Sequence, residues 1–179
     1  SVAQAGIAVL VFSYGFTAFG LLFVALNGFS KVVLFLVVNH VSDAFGSDEV
    51  EDFKGIFTNN KLVGVGFTIV VLSLLGMPLF AGFVVKIGIL SELFAAGSWI
   101  FPAIILLSSV VEGVYFMKLL VALWYSKTEA RSVTFELPLI YLVLIVAALF
   151  VALGVYWSPF EDFVNLLVSV RGGLFSWLV

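Results

Sequence analysis

The sequence predicts an all-α polytopic membrane bundle, and three observations carry that expectation. Of its 179 residues, 63% are hydrophobic and only 11% are charged, where a soluble domain carries roughly 25% charged residues. Mean hydropathy is +1.27. The apolar residues gather into runs, several of them near the ~20 residues that one helical crossing of a bilayer needs. The chain has no cysteine and a single histidine, which removes thiolate clusters, disulfides and most zinc sites. No glycine-rich strand-to-helix turn is present to cradle a nucleotide phosphate, and a formal charge of −3 offers no basic stripe to nucleic acid. Catalysis on this chain, a cofactor bound to it and a nucleic-acid partner are therefore not expected. The opening lacks the basic start and cleavage pattern of a signal peptide, so its apolar run is expected in the mature protein.

About six spans, one of them broken, follow in order. The first apolar segment, Val2 to Tyr14, is short for a full crossing and ends at Gly15. The second runs from Thr17 to Val41. The polar stretch from Ser42 to Lys61 places Val50, Phe53, Ile56 and Phe57 at helical spacing opposite Glu49, Glu51 and Asp52, the pattern of a short amphipathic helix at the interface. A third segment, Leu62 to Leu75, stops at Gly76-Met77-Pro78, because proline disfavours helical geometry in the residue before it. The fourth extends from about Phe80 to Gly97, the fifth from Trp99 to Tyr125 and the sixth from Phe135 to Trp157. Pro102 and Pro138 fall in first turns, where a missing N–H is harmless.

Residues 1–157 form the transmembrane domain in this reading, and residues 158–179 a C-terminal amphipathic segment. In that segment Phe160, Phe163, Val164, Leu167 and Val170 share a face apart from Glu161, Asp162, Asn165 and Arg171. Trp99, Trp124, Tyr125, Tyr156 and Trp157 sit at span ends, where amphipathic rings favour the headgroup region. Counting each segment as one crossing puts the loop with Lys127 and Arg131 opposite both the acidic loop and the C-terminus. The positive-inside rule then assigns the Lys127 loop to the cytoplasm and the C-terminus to the extracytoplasmic side of the cell's inner membrane.

The informative residues are charges that cannot reach water. Lys31 lies about 21 Å along the second span at 1.5 Å per residue, too deep to snorkel easily. An intramembrane lysine costs about 2.5–3.5 kcal/mol on insertion scales and calls for a partner or a wet cavity. Asn27, four residues earlier on the same face, offers it an acceptor. Glu112 is equally central in the fifth span, where Ser108 and Tyr115 extend a polar stripe while Lys118 points elsewhere. Lys86 lies just beyond the Gly76-Met77-Pro78 break, and such breaks are tolerated only where backbone lines a cavity or is buried in protein. A broken span beside an ionisable residue is the signature of an ion-transporter binding region. His40 ends its span beside Asn39 and Ser42, where ordinary interfacial hydrogen bonding competes with a proton-relay role. The run from Asp48 to Asp52 reads as a solvated face.

Three segments in order carry a resemblance: Ser1-Val2-Ala3-Gln4-Ala5-Gly6, Leu26-Asn27-Gly28-Phe29-Ser30-Lys31-Val32-Val33-Leu34-Phe35-Leu36, and Gly76-Met77-Pro78-Leu79-Phe80-Ala81-Gly82-Phe83-Val84-Val85-Lys86. Together they look like successive motifs of the antiporter-like subunits of respiratory complex I, Mrp-type cation/proton antiporters and membrane-bound hydrogenases. Glu112-Gly113-Val114-Tyr115-Phe116-Met117-Lys118 is more similar to the Mrp and hydrogenase branch. The resemblance implies a pair of inverted repeats, of which this chain matches the second half-channel and the helix after it. It implies that Lys31 is the central lysine of that half-channel and Lys86 the charge on its broken helix. Asn27 stands where the family usually has a histidine. The first repeat is expected from another membrane subunit of a multi-subunit complex.

Two function classes follow. In one, the chain is a non-redox subunit that helps translocate protons or Na⁺ through Lys31, Lys86, Glu112, Asn27 and His40. In the other, it is a non-conducting scaffold in the bilayer that docks the remaining subunits. Retention of three buried charges favours conduction, and absence of the first repeat favours the scaffold.

Overall fold

The computed structural model describes residues 2–47, 49–125, 133–157 and 162. All regular structure among the described residues is helical: α1 (Val2–Ser13), α2 (Thr17–Phe45), α3 (Ile56–Asn59), α4 (Lys61–Leu75), α5 (Ala81–Ala95), α6 (Ile100–Trp124) and α7 (Leu137–Val155), with a 3₁₀ turn at Val50–Phe53. The expected C-terminal amphipathic segment, Lys127 and Arg131 lie outside the described residues apart from Asp162. Helices α2, α6 and α7, with 29, 25 and 19 residues, are long and apolar enough to cross a membrane. Helices α4 and α5 have 15 residues each, about 22 Å apiece.

The two short helices act as one crossing. Along α2, Phe19 faces Gly88, while Phe23, Leu26, Asn27 and Ser30 line one cavity with Ser73, Leu74, Gly82, Val85 and Lys86. Ascending α2 therefore means descending from α5 into α4, so both run in one direction, antiparallel to α2. The core lies where α2, α4, α5 and α7 meet, with Val33 and Val37 of α2, Phe67, Val70 and Val71 of α4, Val85 of α5, and Val143 and Phe150 of α7 at 0–1% exposure. Helix α6 buries only Pro102, Ile105, Leu120 and Leu123. Its other face presents Ile104, Leu107, Val111 and Val114 outward, an apolar surface suited to lipid or a neighbouring helix.

This single broken crossing corrects the side expected of the acidic loop from counting segments. Gly55 N–H donates to Ala122 O at 3.0 Å, Thr58 Oγ1 to Trp124 O at 3.2 Å and Asn60 Nδ2 to Val133 O at 2.9 Å. The acidic loop, the end of α6 and the start of α7 thus share one end of the bundle, and the C-terminal end of α7 lies at the other. The acidic loop also differs from the single amphipathic helix expected of it. Gly55 at φ +76° separates the 3₁₀ turn from α3, and Phe53, Ile56 and Phe57 turn inward to 4%, 2% and 0% exposure. Phe57 packs on Phe67 and Trp124 with ring centroids 5.3 and 5.7 Å apart, so the loop plugs the bundle rather than lying on the membrane surface.

Candidate functional site at the helix break

The break begins with how α4 ends. Gly76 sits at φ +79°, a region nearly closed to side chains with a Cβ. Its N–H donates to Ser73 O at 2.9 Å and Met77 N–H to Leu72 O at 3.0 Å, the paired closing bonds of a Schellman motif. Carbonyls nearer the end are left without helical donors. Lys86, only 9% exposed, supplies one: its Nζ donates to Leu75 O at 2.9 Å. A cation there also answers the negative end of the α4 dipole. On the other side of the break, Ser73 Oγ accepts from Gly82 N–H at 3.2 Å, satisfying an orphan donor of α5. Gly82 is needed because a Cβ there would meet Ser73 O at 1.8 Å. Leu79 at φ +79° is strained for a branched residue.

Lys86 is held from a third helix as well. Its Nζ donates to Ser109 Oγ at 3.1 Å, and the Ser109 hydroxyl donates to Ile105 O at 2.9 Å. Glu112, one turn further along α6 and half-buried, acts on Lys86 electrostatically without an ion-pair contact. Lys86 is therefore a buried amine held by neutral oxygens, with a carboxylate nearby but not bound.

The other expected site residues separate into groups. Asn27 reaches the Lys86 cavity but does not serve Lys31 as expected: its Nδ2 donates to Phe23 O at 2.7 Å. That is a local bond that Asn commonly makes, and the acceptor Oδ1, which the lysine would need, has no partner among the described residues. Lys31 is half-buried on α2. Ser108, expected in the polar stripe, makes no hydrogen bond among the described residues, and Tyr115 is 67% exposed with its ring edge against Phe116. The serine that matters is Ser109, a residue the sequence reading passed over. His40 lies at the acidic-loop end, where its Nε2 is 3.0 Å from Thr134 O and its ring stacks on Phe135. With Asn39, Asp43 and Glu136 it borders an open groove of about 340 Å³.

Comparison with known proteins agrees with this architecture. Residues 1–112 match the family described as NADH:quinone oxidoreductase/Mrp antiporter, TM. NADH-quinone oxidoreductase subunit N 2 of Sorangium cellulosum is 32% identical over 179 residues, covering 95% of this chain and 35% of the relative. The subunit N 2 of Chloroherpeton thalassium is 30% identical over 182 residues, covering 97% and 36%. The chain thus spans about a third of the length of these relatives. Among solved structures, a chain of respiratory complex I from Thermus thermophilus with bound aureothin superposes with a TM-score of 0.54 at 22% identity, over 86% of this chain and 43% of that one. At that identity the likeness concerns the fold.

Proposed function

The chain belongs to the NADH:quinone oxidoreductase/Mrp antiporter transmembrane family, and from that premise we propose that it carries one ion half-pathway of an antiporter-like membrane subunit, with Lys86 as the buried exchange site. The supporting observation is the way Lys86 is held. A lysine retained for packing alone would gain most from a carboxylate at contact distance, since an unpaired buried charge is costly. Lys86 instead rests on a helix-end carbonyl and a hydroxyl, ligands that suit either protonation state of an amine. Lys31 is the second station, one turn along α2 from the Asn27 that lines the Lys86 cavity. The groove beside His40, Asp43 and Glu136 is the mouth at the acidic-loop end.

The shared end of the two polar connections supports one orientation. Lys54, Lys61, Lys127 and Arg131 fall in them, whereas residues 14–16 and 96–99 at the opposite end carry neither Lys nor Arg. The positive-inside rule places the acidic-loop end in the cytoplasm, and the C-terminal end of α7 on the extracytoplasmic side. The role asked of this chain is ion exchange without a bound cofactor. Electron transfer belongs to other subunits of the complex, and the first repeat of the pathway to another membrane subunit or to further sequence of the same subunit.

A second reading has its own observation: Lys86 caps α4, and a cap is a structural device. The scaffold function follows if that is all Lys86 does. Ion translocation by the assembled complex in proteoliposomes, measured for Lys31→Ala and Lys86→Ala and normalised to assembled protein, separates the two. The exchange reading expects both variants to assemble and lose most of their translocation. Normal translocation in either, with normal assembly, removes that lysine from the pathway.

A further inference from the structure

The groove between α2 and α7 at the acidic-loop end changes character with depth. Asp43 lies in the last turn of α2 and Glu136 immediately precedes α7, so both border the groove where the bundle ends. Leu36 of α2 and Leu139 and Leu142 of α7 line its inner part. From Asp43 back to Leu36, and from Glu136 on to Leu142, the helices descend about 10 Å at 1.5 Å per residue. Helix α2, with 29 residues, is about 44 Å long, close to the ~40–45 Å of a bilayer with its headgroup layers. Its last turn therefore falls among headgroups, and Leu36 and Leu142 fall among acyl chains. Leu36 is 43% exposed.

The polar end of the groove is short of donors. Asn39 Nδ2 donates to Asp43 Oδ2 at 3.0 Å, leaving the amide its second N–H. His40 Nε2, 3.0 Å from Thr134 O, must carry a proton to bond a carbonyl, which leaves Nδ1 of the neutral ring as an acceptor. Asp43 and Glu136 are exposed, and their carboxylates only accept. Apart from one N–H, these side chains therefore offer acceptors and negative charge. A ligand that complements them brings positive charge and N–H donors at one end and an apolar body at the other.

We propose that the groove is a binding site for a membrane phospholipid with a primary-amine headgroup, of which phosphatidylethanolamine is the simplest. Its ammonium carries three N–H donors, as a lysine does, and gives them to Asp43 and Glu136 in charge-assisted bonds, the strong class of hydrogen bond. The neighbouring phosphate takes the second N–H of Asn39, and an acyl chain lies on Leu36, Leu139 and Leu142. The volume of about 340 Å³ falls in the range of small-molecule pockets, about 300–1,000 Å³. The same chemistry discriminates among lipids. The trimethylated ammonium of phosphatidylcholine has the charge but no N–H, and the anionic headgroup of phosphatidylglycerol sets negative charge against two carboxylates. The inference goes beyond ion exchange at Lys86 and does not depend on it. The headgroup would form the outer wall of the mouth assigned above, and lipid retention is measured independently of ion flux.

The test is photo-crosslinking of the full-length subunit in its complex, in nanodiscs doped with a phosphatidylethanolamine that carries a diazirine on its acyl chain. Labelled peptides are mapped by mass spectrometry. The proposal expects label on the segments that hold Leu36, Leu139 or Leu142. Unlabelled phosphatidylethanolamine should compete for it about tenfold better than phosphatidylcholine or phosphatidylglycerol, the effect of roughly one hydrogen bond to a charged group. Asp43→Asn combined with Glu136→Gln should abolish that preference. Absence of label from these segments, or equal competition by the three lipids in the wild-type protein, overturns the proposal. So does a preference that survives the double substitution, or a cryo-electron microscopy map of the complex with a protein segment seated in the groove. Should the double variant fail to assemble, the wild-type competition and the map decide alone.

Discussion

Replacing Gly76 by alanine tests whether the end of α4 and the position of Lys86 are one device. Two costs can be separated. The first is conformational: an L-residue in the left-handed region loses about 1–2 kcal/mol, and Gly76 sits at φ +79°. The second is contact: a Cβ at Gly76 would stand 2.8 Å from Lys86 Cδ and 3.5 Å from its Nζ, so the lysine must shift and give up one of its bonds to Leu75 O and Ser109 Oγ. Losing one hydrogen bond to a charged group costs about 1.5–3 kcal/mol. Gly46→Ala is the internal control, because Gly46 also ends a helix in the left-handed region, at φ +64°, with nothing within 4 Å of an added Cβ. At about 2–4 °C per kcal/mol for a chain of this size, Gly76→Ala should melt roughly 3–12 °C below Gly46→Ala in detergent. It should also translocate ions more slowly, whereas Gly46→Ala should not. Equal melting shifts with normal translocation in both variants would refute the link between the break and Lys86.

Three further outcomes are expected. Ser109→Ala removes one of two acceptors of Lys86 and should lower stability by about 1.5–3 kcal/mol, read from denaturant unfolding, whereas Ser108→Ala should be silent; equal effects would contradict the site geometry. Phe57→Ala, at a fully buried ring, should cost about 3–5 kcal/mol, which distinguishes a loop that plugs the bundle from one lying on the membrane surface. Because the chain has no cysteine, single-cysteine variants at Asn59 and Ala96 can be labelled with an impermeant maleimide. Asn59→Cys should react from the cytoplasmic side and Ala96→Cys from the opposite side, and labelling of both from one side would overturn the single broken crossing.

Much of this fold was legible because its elements are apolar runs, and the break was legible because Gly76-Met77-Pro78 interrupts one of them. Lys86 stood out as a charge in such a run. What sequence could not supply was relation across helices. Ser108 and Ser109 are equivalent in composition, but they differ by about 100° in helical phase, and only Ser109 meets a lysine 23 residues earlier in the chain. The spacing of Asn27 and Lys31 permits a contact that is not made: the Asn27 amide turns its Nδ2 to the Phe23 carbonyl, and its Oδ1 has no partner among the described residues. The side of the acidic loop was misplaced for a related reason: the punctuation that ends α4 resembles a loop between two crossings, whereas α5 continues in the same direction. The periodicity of the acidic loop was real, but Gly55 divides it, and the buried faces of its two short turns serve the bundle core.

The central claim is that Lys86 exchanges an ion as well as capping α4, and comparison of Lys86→Arg with Lys86→Ala tests it most directly. Arginine keeps a permanent positive charge with donors for the Leu75 carbonyl and the Ser109 hydroxyl, but it does not deprotonate in proteins. Both variants are measured in the same proteoliposome preparation for ion translocation per assembled complex. The exchange account predicts that Lys86→Arg assembles normally and translocates nearly as poorly as Lys86→Ala. Translocation restored to wild-type rates by arginine would contradict the account and leave Lys86 as a helix cap.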